Sequence, residues 1–209
     1  CFEYGRSEAI ELERYCEKVY YYKRKRFVNP LGSAVPYIVK TRIHKHLLIN
    51  LKADEYPILF EGLHTTWPLI EGSIRLDRCF VRTHNIEHEY YKRLESVEKN
   101  PFKRMFFANE SGKLAAYEKV LSRAKAVFAI SKFDTLHFGK VNPKVHLVSA
   151  FHESEKVKIK TGLGDYVLYH GNLSVGENDH AACYLASEVF PKLAIKTIIA
   201  GNKPSAELV

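Results

Sequence analysis

Cysteine is scarce and scattered. Cys1, Cys16, Cys79 and Cys183 lie far apart in a chain of 209 residues and show no CxxC spacing. That pattern argues against a disulfide framework and for free thiols in a reducing compartment. Long apolar runs are also missing: stretches such as Ala126 to Ile130 and Tyr166 to Tyr169 fall far below the roughly 20 residues that cross a bilayer. No signal-peptide pattern opens the chain, so a soluble or membrane-peripheral protein is expected. Neither an internal repeat nor a low-complexity tract is visible, which excludes solenoid arrays.

What is present is an ordinary globular mixture, 46% hydrophobic and 12% aromatic, enough to bury a core in one or two domains. The formal net charge of +8 favours an anionic partner, but the sign alone does not choose among nucleic acid, anionic lipid headgroups and a nucleoside diphosphate. The opening Cys1-Phe2-Glu3-Tyr4-Gly5 reads like the exit of a strand already under way, so a preceding segment is expected.

Short β-rich runs recur at Val19 to Tyr22, Ile58 to Glu61, Cys79 to Thr83, Val127 to Ser131, Val145 to Val148, Tyr166 to His170 and Thr197 to Ala200. Helical stretches lie between them, and this alternation predicts a parallel α/β sheet. Asn85 is placed to cap a helix with Ile86, Tyr90, Leu94 and Val97 on one face, with Glu87 and Glu89 near its positive end. Asn100-Pro101 pairs a cap with proline at the first helical position, ahead of a stripe of Phe107, Leu114, Tyr117 and Leu121. A third helix is predicted from Asn178, with Ala182, Leu185 and Val189 inward and Pro191 at its end. Between His152 and Gly164 the chain is poor in apolar residues, and the linker is placed there: residues 1–152 form one domain, 153–164 the linker, and 165–209 the start of a second.

In a parallel α/β sheet, ligands bind at the carboxyl ends of strands. His84 and Asn85 fall at such an end, as either rim ligands or strand-end capping groups. His84 and His88 have the spacing that can put two imidazoles on one helix face, although Glu87 is not in the HExxH position and no metal is expected. Glu61 and His64, directly after an apolar strand, can hydrogen-bond sugar hydroxyls, while Trp67 is either a stacking surface or a buried turn residue. Gly171, Asn172 and Asn178 follow another strand. Gly171 admits close backbone approach, and a helix starting near Asn178 would direct N–H groups at an anion such as pyrophosphate, although the segment is neither GxGxxG nor a Walker loop. The run from Tyr20 to Phe27, with Lys23, Arg24, Lys25 and Arg26, interleaves base and aromatic. It suits nucleic acid, anionic lipid or a solvated face.

The segments RTHNIEHEYY (from Arg82), SRAKAVFAISKFD (from Ser122), NPKVHLVSAFH (from Asn142) and DYVLYHGNLSVGENDHAACYLASEVFPKL (from Asp165), followed by TIIAGNKPS, together resemble bacterial family 4 glycosyltransferases. The resemblance implies the GT-B fold: a doubly wound parallel sheet on the acceptor side, then the first βαβ unit of a Rossmann-like nucleotide-sugar domain. It implies a histidine beside the transferred sugar, a place that His84 matches. Glu61, His64 and Asn85 would then serve the acceptor, and Gly171, Asn172 and Asn178 the donor. Ser131 matches a family serine that starts a helix.

Transfer in that family generally retains anomeric configuration and needs neither metal nor cofactor beyond a donor such as a UDP- or GDP-sugar. The implied partners are that donor and a glycan or lipid-linked acceptor of bacterial polysaccharide biosynthesis. The implied place is cytoplasmic, peripheral at the inner membrane face, with no nucleic acid. The family's Gly-rich loop would precede Cys1 and its carboxylate-bearing donor site would follow Val209, so the 209-residue chain alone is expected to be inactive. Where many relatives carry Arg and Lys in the donor loop, Asn172 and Glu177 stand here. The alternatives are a basic nucleic-acid-binding α/β module and a sugar-nucleotide epimerase of the same fold.

Overall fold

The computed structural model describes residues 1–3, 8–25, 28–30, 32–158 and 161–208. Its contacts divide into two compact units, Cys1–Tyr90 with Asn109–Ala150, and Tyr91–Ala108 with Phe151–Val209.

The first unit is built on a four-stranded sheet. Its strands are β3 (Ile58–Glu61), β4 (Cys79–Arg82), β5 (Ala126–Ala129) and β6 (Val145–Leu147), adjacent in chain order. All pairings are parallel, with Phe60 opposite Val81, Val81 opposite Val127 and Val127 opposite Val145. A shorter parallel pair, β1 (Phe2–Glu3) and β2 (Tyr22–Lys23), belongs to the same unit. The expected strand at Val19 to Tyr22 is thus shorter and displaced toward its C-terminal end. The second unit carries β7 (Tyr166–Gly171) and β8 (Lys196–Gly201), parallel and in register from Tyr166 opposite Lys196 to Gly171 opposite Gly201. The architecture is α/β with parallel sheets, as the alternation of apolar runs and helical stretches predicts.

The connections are helical: α1 (Tyr37–Lys40), α2 (Lys45–Leu51), α3 (Pro68–Glu71), α4 (Glu87–Val97), α5 (Pro101–Tyr117), α6 (Lys132–Phe138) and α7 (Gly176–Tyr184). Local chemistry explains several of their ends. The Asn100 side-chain oxygen accepts from the backbone N–H groups of Phe102 and Lys103 at 3.0 and 3.2 Å, satisfying donors that the first turn leaves without intrahelical partners. Ser131 caps α6 by accepting from the Asp134 N–H. The helix after β4 opens two residues beyond Asn85: Glu87 starts α4, and the Ile86 carbonyl accepts from the Tyr90 N–H. In the second unit α7 starts at Gly176 rather than Asn178, widens into a π turn at Leu185–Val189 and stops through a 3-10 turn containing Pro191.

The core of the first unit gathers Val81 and Val127 from the sheet with Leu114, Leu121 and Phe138, all essentially inaccessible. The expected stripe of α5 is there, and one polar residue lies on it: Glu110 is fully buried. Its carboxylate accepts from the Tyr37 N–H at 2.5 Å and pairs with Lys113 Nζ at 2.9 Å, while Lys113 also donates to the Pro30 carbonyl. Asn142 is a second buried polar group, donating to the Leu121 and Ala124 carbonyls and accepting from the Lys144 N–H. Each replaces lost hydration with hydrogen bonds, as burial requires.

Among the described residues no helix is long and apolar enough to cross a membrane.

Candidate functional site

β3 and β4 are neighbours in parallel register, with Glu61 opposite Arg82. Their carboxyl ends therefore deliver Glu61, Gly62, His64, Arg82 and His84 to one rim. His84 Nε2 lies 2.7 Å from Glu61 Oε2. An ionised carboxylate only accepts, so His84 donates from Nε2 to Glu61. Arg82 Nη1 reaches the same Glu61 oxygen at 3.6 Å. Glu61 is thus held from two sides while remaining partly open to solvent, and it fixes the His84 ring.

His64 follows in a 3-10 turn, Leu63–Thr65, entered through Gly62. Gly62 has φ 82° and ψ 151°, a region that residues with a Cβ avoid. A Cβ there would lie 2.5 Å from His64 Cε1, so the imidazole packs directly against the glycine. Gly62→Ala is expected to destabilise the protein by about 2 to 3 kcal/mol and to displace His64. Urea unfolding checks the first, and the chemical shift of the His64 ring checks the second.

The site's electrostatics are asymmetric. Burial, then the charges of Arg42, His84 and Arg24, lowers the His64 pKa from 6.5 to about 4, so the ring is neutral near pH 7. Burial pushes Glu87 the other way, above the ordinary carboxylate value, against the opposing pull of His84 and Arg42.

For His64 the linkage sign is definite. Between about 6.5 and 4 the unfolded chain holds more protons at this residue than the folded one, so stability falls as pH drops through that window. At 1.36 kcal/mol per pKa unit the full loss is about 3 kcal/mol. His64→Gln is expected to flatten the wild-type slope of unfolding free energy between pH 6.5 and 4. An unchanged slope would place the pH sensitivity elsewhere. Glu87 contributes with opposite sign, so the difference between variant and wild type isolates His64.

Beside these groups is a cavity of about 350 Å³ with Phe2, Arg42, Leu47, Phe60, Glu61 and His64 in its wall. Its apolar floor and few polar groups are the usual make-up of a small-ligand site. Trp67 is half-buried at the start of α3, and Asn85 is exposed beyond β4.

Neither a family model nor a curated protein nor a solved structure matches this chain. The site's chemistry has to be read from its own geometry.

Gly171, Asn172 and Asn178 come together in the second unit, but they brace one another. Asn178 Nδ2 donates to the Asn172 carbonyl at 3.1 Å, Asn172 Oδ1 accepts from the Ser174 N–H and hydroxyl, and the Tyr169 hydroxyl donates to the Asn178 carbonyl. In the second unit it is Gly201 that has no room for a side chain, since a Cβ there would fall 2.2 Å from the Gly171 carbonyl oxygen. Glu177 and Asp179 occupy the first turn of α7, charges that oppose an anion at that helix end.

His84 and His88 do not share a ligand: His84 bonds Glu61, whereas His88 Nδ1 is 3.2 Å from Glu118 Oε2. In the basic run, Lys23 and Lys25 are exposed. Arg24 turns inward, donating to Thr41 Oγ1 at 2.8 Å with its guanidinium over the Tyr37 ring, while Arg26 and Phe27 lie outside the described residues. Sequence reasoning missed Arg82 and the half-buried Glu87 as members of the site. Arg82 had a signal, a charged residue alternating with Cys79 and Val81 in an otherwise apolar strand; Glu87 had none beyond its place at a helix start.

Proposed function

We propose that this chain is part of a glycosyltransferase of the GT-B type, with a doubly wound acceptor-side domain followed by the start of a nucleotide-sugar domain. One observation supports the reading above the others: Glu61, His64 and His84 converge at the carboxyl ends of adjacent parallel strands beside a cavity. Such a rim offers donors and acceptors at spacings suited to sugar hydroxyls, and it pairs an oriented imidazole with an apolar wall. His84, aimed by Glu61, would hydrogen-bond the transferred sugar as charge develops in the transition state. Glu61, neutral His64 and Asn85 would hold the acceptor, a glycan or lipid-linked sugar. Gly171, Asn172 and Asn178 would shape the donor loop for a UDP- or GDP-sugar, through backbone groups rather than the braced Asn side chains. Retention of configuration, bacterial polysaccharide synthesis and a peripheral position at the cytoplasmic membrane face belong to the same proposal.

The test uses the whole protein that contains this chain, incubated with UDP- and GDP-sugars with and without polyprenyl-linked sugar acceptors. Nucleoside diphosphate release that requires the acceptor supports transfer. Donor turnover without acceptor would point instead to an epimerase. Salt-sensitive nucleic-acid binding with no response to any nucleotide sugar would point to a basic binding module.

A further inference from the structure

Three side chains far apart in sequence meet within the first unit, away from the Glu61–His84 pair. His88 stands in the first turn of α4, Glu118 begins the 3-10 turn Glu118–Arg123, and His137 is near the end of α6. Glu118 Oε2 is 3.2 Å from His88 Nδ1, and Glu118 Oε1 is 2.6 Å from His137 Nε2. One potential ligand atom from each residue lies within 4.8 Å of the others. The Glu118 side chain is only 7% exposed, and the two imidazoles are 24% and 20% exposed.

We propose that His88, Glu118 and His137 form a site for one divalent transition-metal ion, with zinc the best match. Two imidazole nitrogens and one carboxylate oxygen are a donor set that zinc takes, with a fourth position left for water. Ligand atoms around a tetrahedral ion at about 2.0 to 2.1 Å stand roughly 3.3 Å apart. Separations of up to 4.8 Å therefore have to close by at most about 1.5 Å, a change shared between two side chains.

The ligands are also held from behind. The His88 carbonyl accepts from Ser111 Oγ at 2.8 Å. The His137 ring packs edge-on against the buried Phe138, at 5.1 Å between centroids. Glu118 follows the buried Tyr117 and precedes the buried Val120 and Leu121. Pre-set ligands of this kind favour binding over a floppy surface cluster. An ion also compensates a desolvated carboxylate that otherwise rests on two imidazoles. On binding, the protons on His88 Nδ1 and His137 Nε2 leave those nitrogens, and each ring carries its hydrogen on the other nitrogen. The ion would tie the start of α4, and with it the loop bearing His84, to α6.

The 209-residue chain, stripped with chelator, is titrated with Zn²⁺ by calorimetry, with Co²⁺ absorption as a geometry probe and nitrogen-15 spectra of the histidine rings as a ligand probe. The expected result is one ion per chain, intense visible Co²⁺ bands, a higher Tm, and ring shifts at His88 and His137. His137→Gln and Glu118→Gln are each expected to weaken Zn²⁺ at least tenfold. Should a variant fail to fold, the ring spectra of the unaltered chain still decide. Absence of stoichiometric binding, or shifts confined to other histidines such as His44 and His46, would overturn the site.

Discussion

For the sugar transfer proposed above, replacing His84 by alanine is expected to lower kcat about a hundredfold while leaving donor Kd and Tm nearly unchanged. The size follows from removing one preorganised hydrogen bond to a centre where charge develops, typically about 3 kcal/mol of barrier. The small effect on folding follows from its place. His84 is 43% exposed and bonds an equally open Glu61, and an exposed pair of that kind contributes at most about 1 kcal/mol. A histidine that only caps a strand end would behave in the opposite way, lowering Tm and sparing turnover per folded molecule. Steady-state kinetics, donor affinity and melting temperature measured on one preparation of the whole protein separate the two, and a destabilised but fully active enzyme ends the role assigned to His84. The same experiment on Glu61→Gln should give a smaller loss of kcat, because the amide can still accept from Nε2 but no longer stabilises a protonated ring.

The largest change in stability is expected at Lys113. Lys113→Met leaves Glu110, whose side chain has no solvent exposure, as a buried carboxylate without its cation. Breaking a buried pair from one side typically costs about 3 to 5 kcal/mol. The double variant Glu110→Gln with Lys113→Met should recover much of that loss, since the amide can still accept from the Tyr37 N–H without carrying charge. Urea unfolding of both variants provides the comparison, read at constant m-value. A Lys113→Met protein within about 1 kcal/mol of the parent would show that the Tyr37 N–H alone suffices to hold the Glu110 charge.

Much of the secondary structure was legible because its causes are local. An apolar run bounded by polar residues, a cap such as Asn100 before Pro101, and Ser131 three residues ahead of Asp134 act within a few residues of themselves. Where boundaries moved, local chemistry moved them. The Ile86 carbonyl opens α4 in place of the Asn85 side chain, and the Val175 carbonyl, accepting from the Asn178 and Asp179 N–H groups, opens α7 before Asn178. The placement of Glu61, His64 and His84 at strand ends was equally legible, because apolar runs in Ile58 to Phe60 and Cys79 to Val81 declare where their strands stop.

Pairing was not legible, and pairing decides the chemistry. That Glu61 meets His84 depends on β3 and β4 being neighbours in a given register, a property of the sheet and not of either segment. Spacing along the chain suggested His84 with His88, yet the turn from strand to helix sends them to different carboxylates, Glu61 and Glu118. Neither Glu110 nor Glu118 carries a local signal of burial, yet the fold buries both and makes one an ion-pair partner and the other a hub for two imidazoles. The sequence by itself determined a parallel α/β chain with polar groups at strand ends, because periodicity and capping are short-range. Only the tertiary structure decided which of those groups face one another and which lose their water, because burial and pairing are set by contacts between residues distant in the chain.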